Sequence, residues 1–185
     1  MGLLKSGINE VIATTAFNAA PIGIHVRDRT VSMILFPGSH TAENIVRDGW
    51  VVANIISDPL LYVKTAFEDL PRDAFVEEPV AGKTMYRLAG AEAWIAFTTK
   101  AESNSAGTIK VTLTQEKEII ETVAVHPVNR GFNSIIDATV HATRYRINRN
   151  PEIKKLIDYH TGIVRKCGGK KDLAALDLLM RYIGE

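Results

Sequence analysis

Residues 35–55, LFPGSHTAENIVRDGWVVANI, are the stretch on which the fold turns. Pro37-Gly38 makes a turn, and the run from Ser39 to Asp48 has helical spacing closed by Gly49. Beyond it, WVVANII (50–56) is a nearly continuous apolar strand of the kind buried on both faces. Ser39 or Thr41 serves as the N-cap, which leaves the first backbone N–H groups pointing into the turn without intrahelical partners. A helix start of this kind also suits an anion, because free N–H groups and hydroxyls are donors for phosphate oxygens. Capping alone, worth about 1 kcal/mol, accounts for the same residues. Spacing leaves both readings open.

Working upstream, INEVIATTAF (8–17), APIGIHVR (20–27) and TVSMILF (30–36) predict three short strands in a meander. The second follows Asn18-Ala19, and the third follows a turn at Asp28-Arg29. Downstream, SDPLLYVKTAFEDL (57–70) predicts a helix capped by Ser57 or Asp58, with Pro59 first and Leu60, Val63 and Phe67 on one face. Residues 71–90, punctuated by Pro71, Pro79, Gly82 and Gly90, predict a loop holding at most one strand. AEAWIAFTTKAES (91–103) and GTIKVTLTQEKEIIETVAVHP (107–127) add two or three strands, the first turning through Asn104-Ser105-Ala106-Gly107. Six or seven strands with short connections and only two helices among them favour an antiparallel barrel over a βαβ sheet.

From Arg130 the period becomes helical. In GFNSIIDATVHATRYRIN (131–148) the stripe Phe132, Ile136, Val140, Thr143 and Ile147 is expected to face inward. Pro151 opens a second helix with Ile153, Leu156, Ile157 and His160 inward, and KKDLAALDLLMRYI (170–183) forms a third. The expected fold is mainly β with C-terminal helices, an α+β class: a barrel core over 1–129 and a helical region over 130–185 packed on it.

Composition narrows the function. At 185 residues, 46% hydrophobic and 23% charged, the chain is globular, with one core and room for a small appendage. A net charge of +1, with only 8 basic against 5 acidic side chains over 149–185, gives no arm for nucleic acid. Cys167 is the only cysteine, so no intrachain disulfide, cysteine-rich zinc site or CxxC pair can form, in keeping with a reducing cytoplasm. No apolar run approaches the roughly 20 residues that span a bilayer, so no membrane is expected.

Few residues offer chemistry of their own. There is no GxSxG, no paired carboxylates stand out, and no acid or base can be named. Asn133, Asp137, His141 and Arg144 share one helical face, which is by default a solvated one. Asp137 and His141 lack a third metal ligand nearby, so no metal is expected. Asn54, polar inside VVANII, needs a partner, either a ligand or a hydrogen bond at the sheet's end.

Resemblance adds a candidate cofactor. The run NEVIATTAFNAAPIGI…VSMILFPGSHTAENIVRDGWVVANI (9–55) resembles the opening of an FMN-binding split barrel, the fold of flavin reductases and pyridoxamine phosphate oxidases. SHTAENI, NIISDPLLYVKTAF and NRG…ATVHATR resemble, more narrowly, a prokaryotic family within that superfamily known only as a domain of unknown function. The resemblance covers nearly the whole chain. It implies FMN, with Ser39, His40, Thr41 and Asn44 at the phosphate and Asn18, Ala19, Ala20, Pro21 and Gly23 along the isoalloxazine; Asn54 is a further candidate. Small residues let a flat ring approach the backbone closely. No arginine or lysine lies between Arg29 and Arg47, so Arg130 and Arg144 are the implied suppliers of positive charge, ahead of Lys64 and Lys83. The resemblance further implies a homodimer and an oxidoreductase passing hydride or electrons to or from a small molecule. A non-catalytic flavin carrier or sensor, and a barrel that binds a deazaflavin, are the alternatives.

Overall fold

The computed structural model describes residues 2–103 and 107–184, and they fall into two compact units. The first runs to Ile56 and resumes from Leu70 to Ala124; the second comprises Ser57–Asp69 and the chain from Val125 onward.

The first unit is a closed antiparallel barrel of six strands in the order β1-β2-β3-β8-β7-β4, as expected. Its strands are β1 (Gly7–Thr15), β2 (Asn18–Arg27), β3 (Thr30–Leu35), β4 (Trp50–Ile55), β7 (Ala93–Ser103) and β8 (Ile109–Ile120). The meander β1-β2-β3 turns at Asp28-Arg29, where both residues take positive φ (46° and 69°) as a tight hairpin requires. Asn18-Ala19 does not form a connector. Thr15 pairs with Asn18, so the turn is Ala16-Phe17, and Asn18 and Ala19 belong to β2. Of the expected 104–107 turn, Asn104, Ser105 and Ala106 lie outside the described residues.

Helix α1 (His40–Asp48) supplies Ala42 and Ile45 to the barrel core beside Val11, Ile24, Met33, Val51, Ile95 and Phe97. Gly49 ends it at φ 69°, the left-handed cap its lack of a side chain allows.

Residues 71–90 form more than a loop: after a single 3-10 turn (Arg72–Ala74), β5 (Phe75–Val80) and β6 (Lys83–Leu88) make a complete hairpin. Its turn, Ala81-Gly82, uses positive φ at both positions (49° and 72°) without the usual Asn or Asp signal. The hairpin also carries a half-buried carboxylate, which hides its strand pattern. Burial pushes Glu78 up, but hydrogen bonds from Arg87 (2.9 Å) and Lys117 (3.2 Å) outweigh it and hold the carboxyl below its usual range. Val80 and Met85 join Trp50, Val52, Trp94 and Ala96 in a second apolar cluster.

The second unit is helical: α2 (Pro59–Phe67), α3 (Arg130–Asn148), α4 (Pro151–Cys167) and α5 (Lys170–Ile183). Asp58 caps α2 by accepting from Leu60 N and Leu61 N, with Pro59 at the first helical position. Val63 of α2 shares one core with Ile135, Ala138, Ala142, Ile157, Val164 and Leu179.

Helix α3 buries a different face from the one expected. Gly131, Ser134, Ile135, Ala138, Thr139 and Ala142 are buried, whereas Val140 is exposed and Ile147 is 86% exposed. Close packing explains the choice. A Cβ on Gly131 would stand only 2.4 Å from Gly168 Cα, so the start of α3 meets the end of α4 at backbone distance, and Ile135 is the one large side chain among these buried residues. Leu156 of α4 likewise points outward, while Thr161 and Val164 are buried. No helix among the described residues is long and apolar enough to cross a membrane.

Candidate functional site

The start of α1 is built by the turn before it. Gly38 takes φ 80°, a conformation that needs glycine, and brings Ser39 back over Phe36. Ser39 is the N-cap: its Oγ accepts from Ala42 N at 3.3 Å and donates to Phe36 O at 3.0 Å. The first intrahelical bond is Glu43 N to Ser39 O, 3.0 Å, so the His40 and Thr41 N–H groups precede the helical ladder.

Two side-chain bonds join α1 to the β1–β2 hairpin. Asn18 Nδ2 donates to Thr41 Oγ1 at 2.9 Å in a buried contact, and Asn44 Nδ2 donates to Thr15 Oγ1 at 2.9 Å. Thr15 and Asn18 are the last pair of the hairpin, and Thr41 and Asn44 stand three apart on one helix face. A facing pair on the sheet therefore grips a facing pair on the helix. Of the expected site residues, Asn18, Ser39, His40, Thr41 and Asn44 come together at this end of α1. Thr15 was not among them, although its position before the hairpin turn is a signal that could have found it.

The other expected residues have separate surroundings. Ala19, Ala20, Pro21 and Gly23 follow Asn18 along β2, opposite Thr14, Ala13, Ile12 and Glu10. The space beside Gly23 is already taken, since a Cβ there would meet Ile8 Cγ2 at 2.8 Å. Asn54 is fully buried and bound to protein. Its Nδ2 donates to Ile12 O (2.8 Å), Thr14 Oγ1 (3.0 Å) and Val52 O (3.3 Å), and its Oδ1 accepts from Leu88 N (2.8 Å). Arg130 opens α3 and Arg144 lies on its exposed face, both in the helical unit.

Two cations act at the far end of α1. Arg47 holds Asp48 with a two-bond fork at 2.7 and 2.6 Å, and this pairing lowers the Asp48 carboxyl's pKa. Lys83 Nζ donates to Asp48 O at 2.8 Å, placing a positive charge at the helix C-terminus where the dipole favours it. A cleft of about 380 Å³ opens there, walled by Ala16, Arg47, Trp50, Lys83, Thr84 and Tyr86. Phe17 in the adjoining turn takes φ 53°, unusual for a bulky side chain. Its ring packs on Tyr86 (4.4 Å between centroids) and carries the Arg72 guanidinium 4.6 Å from its centre.

On the helical unit, His141 and His160 stack with centroids 5.6 Å apart, and Asp137 Oδ2 lies 3.9 Å from His160 Nδ1. Burial, then the neighbouring His160 and Arg144, depress the His141 pKa. Among the described residues, no group of three His, Cys, Asp or Glu side chains could hold a metal ion.

Comparison with known proteins agrees with this architecture. The chain is 24% identical to the uncharacterized protein MJ1453 of Methanocaldococcus jannaschii over 95% of its own length and 98% of that protein's. It superposes on the crystal structure of the FMN-bound DUF447 protein MM1853 from Methanosarcina mazei with a TM-score of 0.91, at 33% identity and 96% coverage of both chains. An FMN-binding protein from Thermus thermophilus with bound 1-cyclohex-2-enone matches at TM-score 0.51 and 10% identity, over 65% of this chain and 78% of that one, a likeness of fold alone. Residues 9–122 match the N-terminal domain described as a protein of unknown function (DUF447), and residues 129–181 match the second part of the same family. The chain therefore belongs to the DUF447 family.

Proposed function

We propose that this chain is an FMN-binding flavoprotein whose phosphate site is the start of α1. The supporting observation is the arrangement there: two N–H groups ahead of the helical ladder, a buried Thr41 hydroxyl, and the Asn18 and Asn44 amides holding helix to hairpin. Similarity to FMN-bound MM1853 across nearly the whole of both chains supplies the cofactor's identity.

The residues present fit the group. Phosphate oxygens are acceptors, and His40 N–H, Thr41 N–H and a threonine hydroxyl are neutral donors at the positive end of a helix dipole. When bound, FMN would supply hydride or single-electron transfer. The protein's part is to fix the phosphate at α1 and to present the small residues Ala19 and Ala20 of β2 to the ring. Positive charge for the phosphate is assigned to Arg130 and Arg144, from the same chain or a second copy. The working unit is a homodimer, and the activity is that of an oxidoreductase on a small molecule.

The test is the absorption spectrum of the purified protein and the identity of the cofactor it releases. Yellow protein yielding FMN supports the reading; protein that takes up a deazaflavin and not FMN overturns it. Oxidation of reduced nicotinamide by the FMN-loaded protein separates an oxidoreductase from a carrier or sensor.

A further inference from the structure

Three threonine hydroxyls inside the helices of this protein turn back on their own backbone, whereas that of Thr161 in α4 is buried without a partner among the described residues. Thr65 Oγ1 donates to Leu61 O at 2.8 Å, Thr139 Oγ1 to Ile135 O at 2.7 Å, and Thr143 Oγ1 to Val140 O at 2.9 Å. Thr41 is different. It stands in the first turn of α1, where no preceding helical carbonyl exists, and it meets the Asn18 amide instead.

That contact fixes the direction of the hydroxyl. A threonine hydroxyl has one hydrogen and two lone pairs, and an amide nitrogen can only donate. With Asn18 Nδ2 at 2.9 Å, Thr41 Oγ1 is the acceptor and keeps its hydrogen. Asn18 is 8% exposed and Thr41 is 4% exposed, so water competes little for the bond between them. Ser39 has no such hydrogen to give, because its Oγ already donates to Phe36 O while accepting from Ala42 N.

We infer that Asn18 is a positioning residue of the phosphate site. By donating to Thr41 Oγ1 it aims the Thr41 hydroxyl hydrogen at the phosphate, which makes Thr41 the side-chain donor and leaves Ser39 as a cap. The assignment rests on the FMN reading above and adds to it a division of roles among Asn18, Ser39 and Thr41. Asn18→Asp inverts the relationship: a carboxylate takes the hydroxyl hydrogen for itself and leaves the phosphate without it.

The experiment is a fluorescence titration of cofactor-free protein with FMN and with riboflavin, which lacks the phosphate. It uses the wild type, Thr41→Ser, Thr41→Val, Asn18→Asp and the Asn18→Asp/Thr41→Val double variant. A hydrogen bond to a charged group sets the scale, about 10- to 100-fold in affinity. Thr41→Val is expected to weaken FMN by about that factor with riboflavin little changed, and Thr41→Ser to restore FMN. Asn18→Asp is expected to weaken FMN strongly when Thr41 is present and much less in the Thr41→Val background, the non-additivity of two groups acting together. Equal losses in both backgrounds would mean direct repulsion by the new carboxylate and would overturn the inference alone. Equal losses for FMN and riboflavin would overturn it too. A wild type that binds riboflavin and FMN equally, or neither, removes the parent reading and the inference with it. If Asn18→Asp fails to fold, Asn18→Ala replaces it with the same expectation of non-additivity.

Discussion

Asn54 on β4 and Leu88 on β6 are joined by a buried hydrogen bond, Leu88 N to Asn54 Oδ1 at 2.8 Å, while the same Asn54 amide donates to Ile12 O on β1. One side chain thus ties the hairpin to two barrel strands. Thr14 Oγ1 adds a second tie, donating to Tyr86 O at 2.6 Å.

Asn54→Ala should accordingly act on stability and leave cofactor affinity alone. It leaves Leu88 N–H without its acceptor in a buried site, and the expected loss is about 2–3 kcal/mol. Urea unfolding measures the loss, and FMN titration of the folded variant measures the rest. A folded Asn54→Ala protein with much weaker FMN binding would make Asn54 a ligand.

Thr41→Glu should expel FMN and leave the barrel folded. The carboxylate sits at an N-terminal helix position, where negative charge is favourable, yet it repels a phosphate carrying about −1.5 to −2 charges. Flavin content after purification and far-UV circular dichroism read the two effects separately. Wild-type occupancy in this variant would move the phosphate away from α1.

Arg144→Ala should weaken FMN more than riboflavin, since only FMN carries the phosphate charge that an arginine compensates. Parallel titrations decide it. Equal weakening, or none, would return Arg144 to the role of a solvated residue on the exposed face of α3.

Truncation after Arg130 should yield aggregated or molten protein. Helix α2 lies in the retained part, but its Val63 is fully buried in a core otherwise built by α3, α4 and α5. Removing them uncovers that face. Static light scattering and near-UV circular dichroism are the measurements, and a soluble, flavin-loaded fragment of residues 1–130 would contradict the expectation.

Acid should loosen the helical unit through His141. Burial, His160 and Arg144 lower its folded-state pKa below the ordinary 6.5, against the opposing pull of Asp137. The unfolded chain therefore binds the proton first, so stability is fully present above about pH 6.5 and is lost as pH falls through the depressed folded value. Thermal unfolding between about pH 8 and pH 5 should show a decline that His141→Gln reduces. An unchanged pH profile in that variant would place the sensitivity elsewhere.

Much of this protein was legible in its sequence because the signals were local. Pro59 behind Asp58, Gly49 behind Asp48, the strand-like runs of β1 to β3 and the helical period from Arg130 each act within a few residues, and the barrel, α1, α2 and the three C-terminal helices followed from them. The start of α1 stood out for the same reason, since capping is a contact between near neighbours. Tertiary structure decided what depends on distant partners. Glu78 breaks the pattern of β5 because its charge is answered by Arg87 and Lys117, the latter far along the chain. The buried face of α3 depends on its packing with the other helices, which holds Gly131 against Gly168 and Ile135 in the shared core and leaves Val140 and Ile147 outside. Asn18, Thr41 and Asn44 were individually visible and Thr15 was not singled out, but a donor acquires its acceptor only when strand and helix meet. Periodicity records what each residue prefers, and packing across the chain determines which preferences are met.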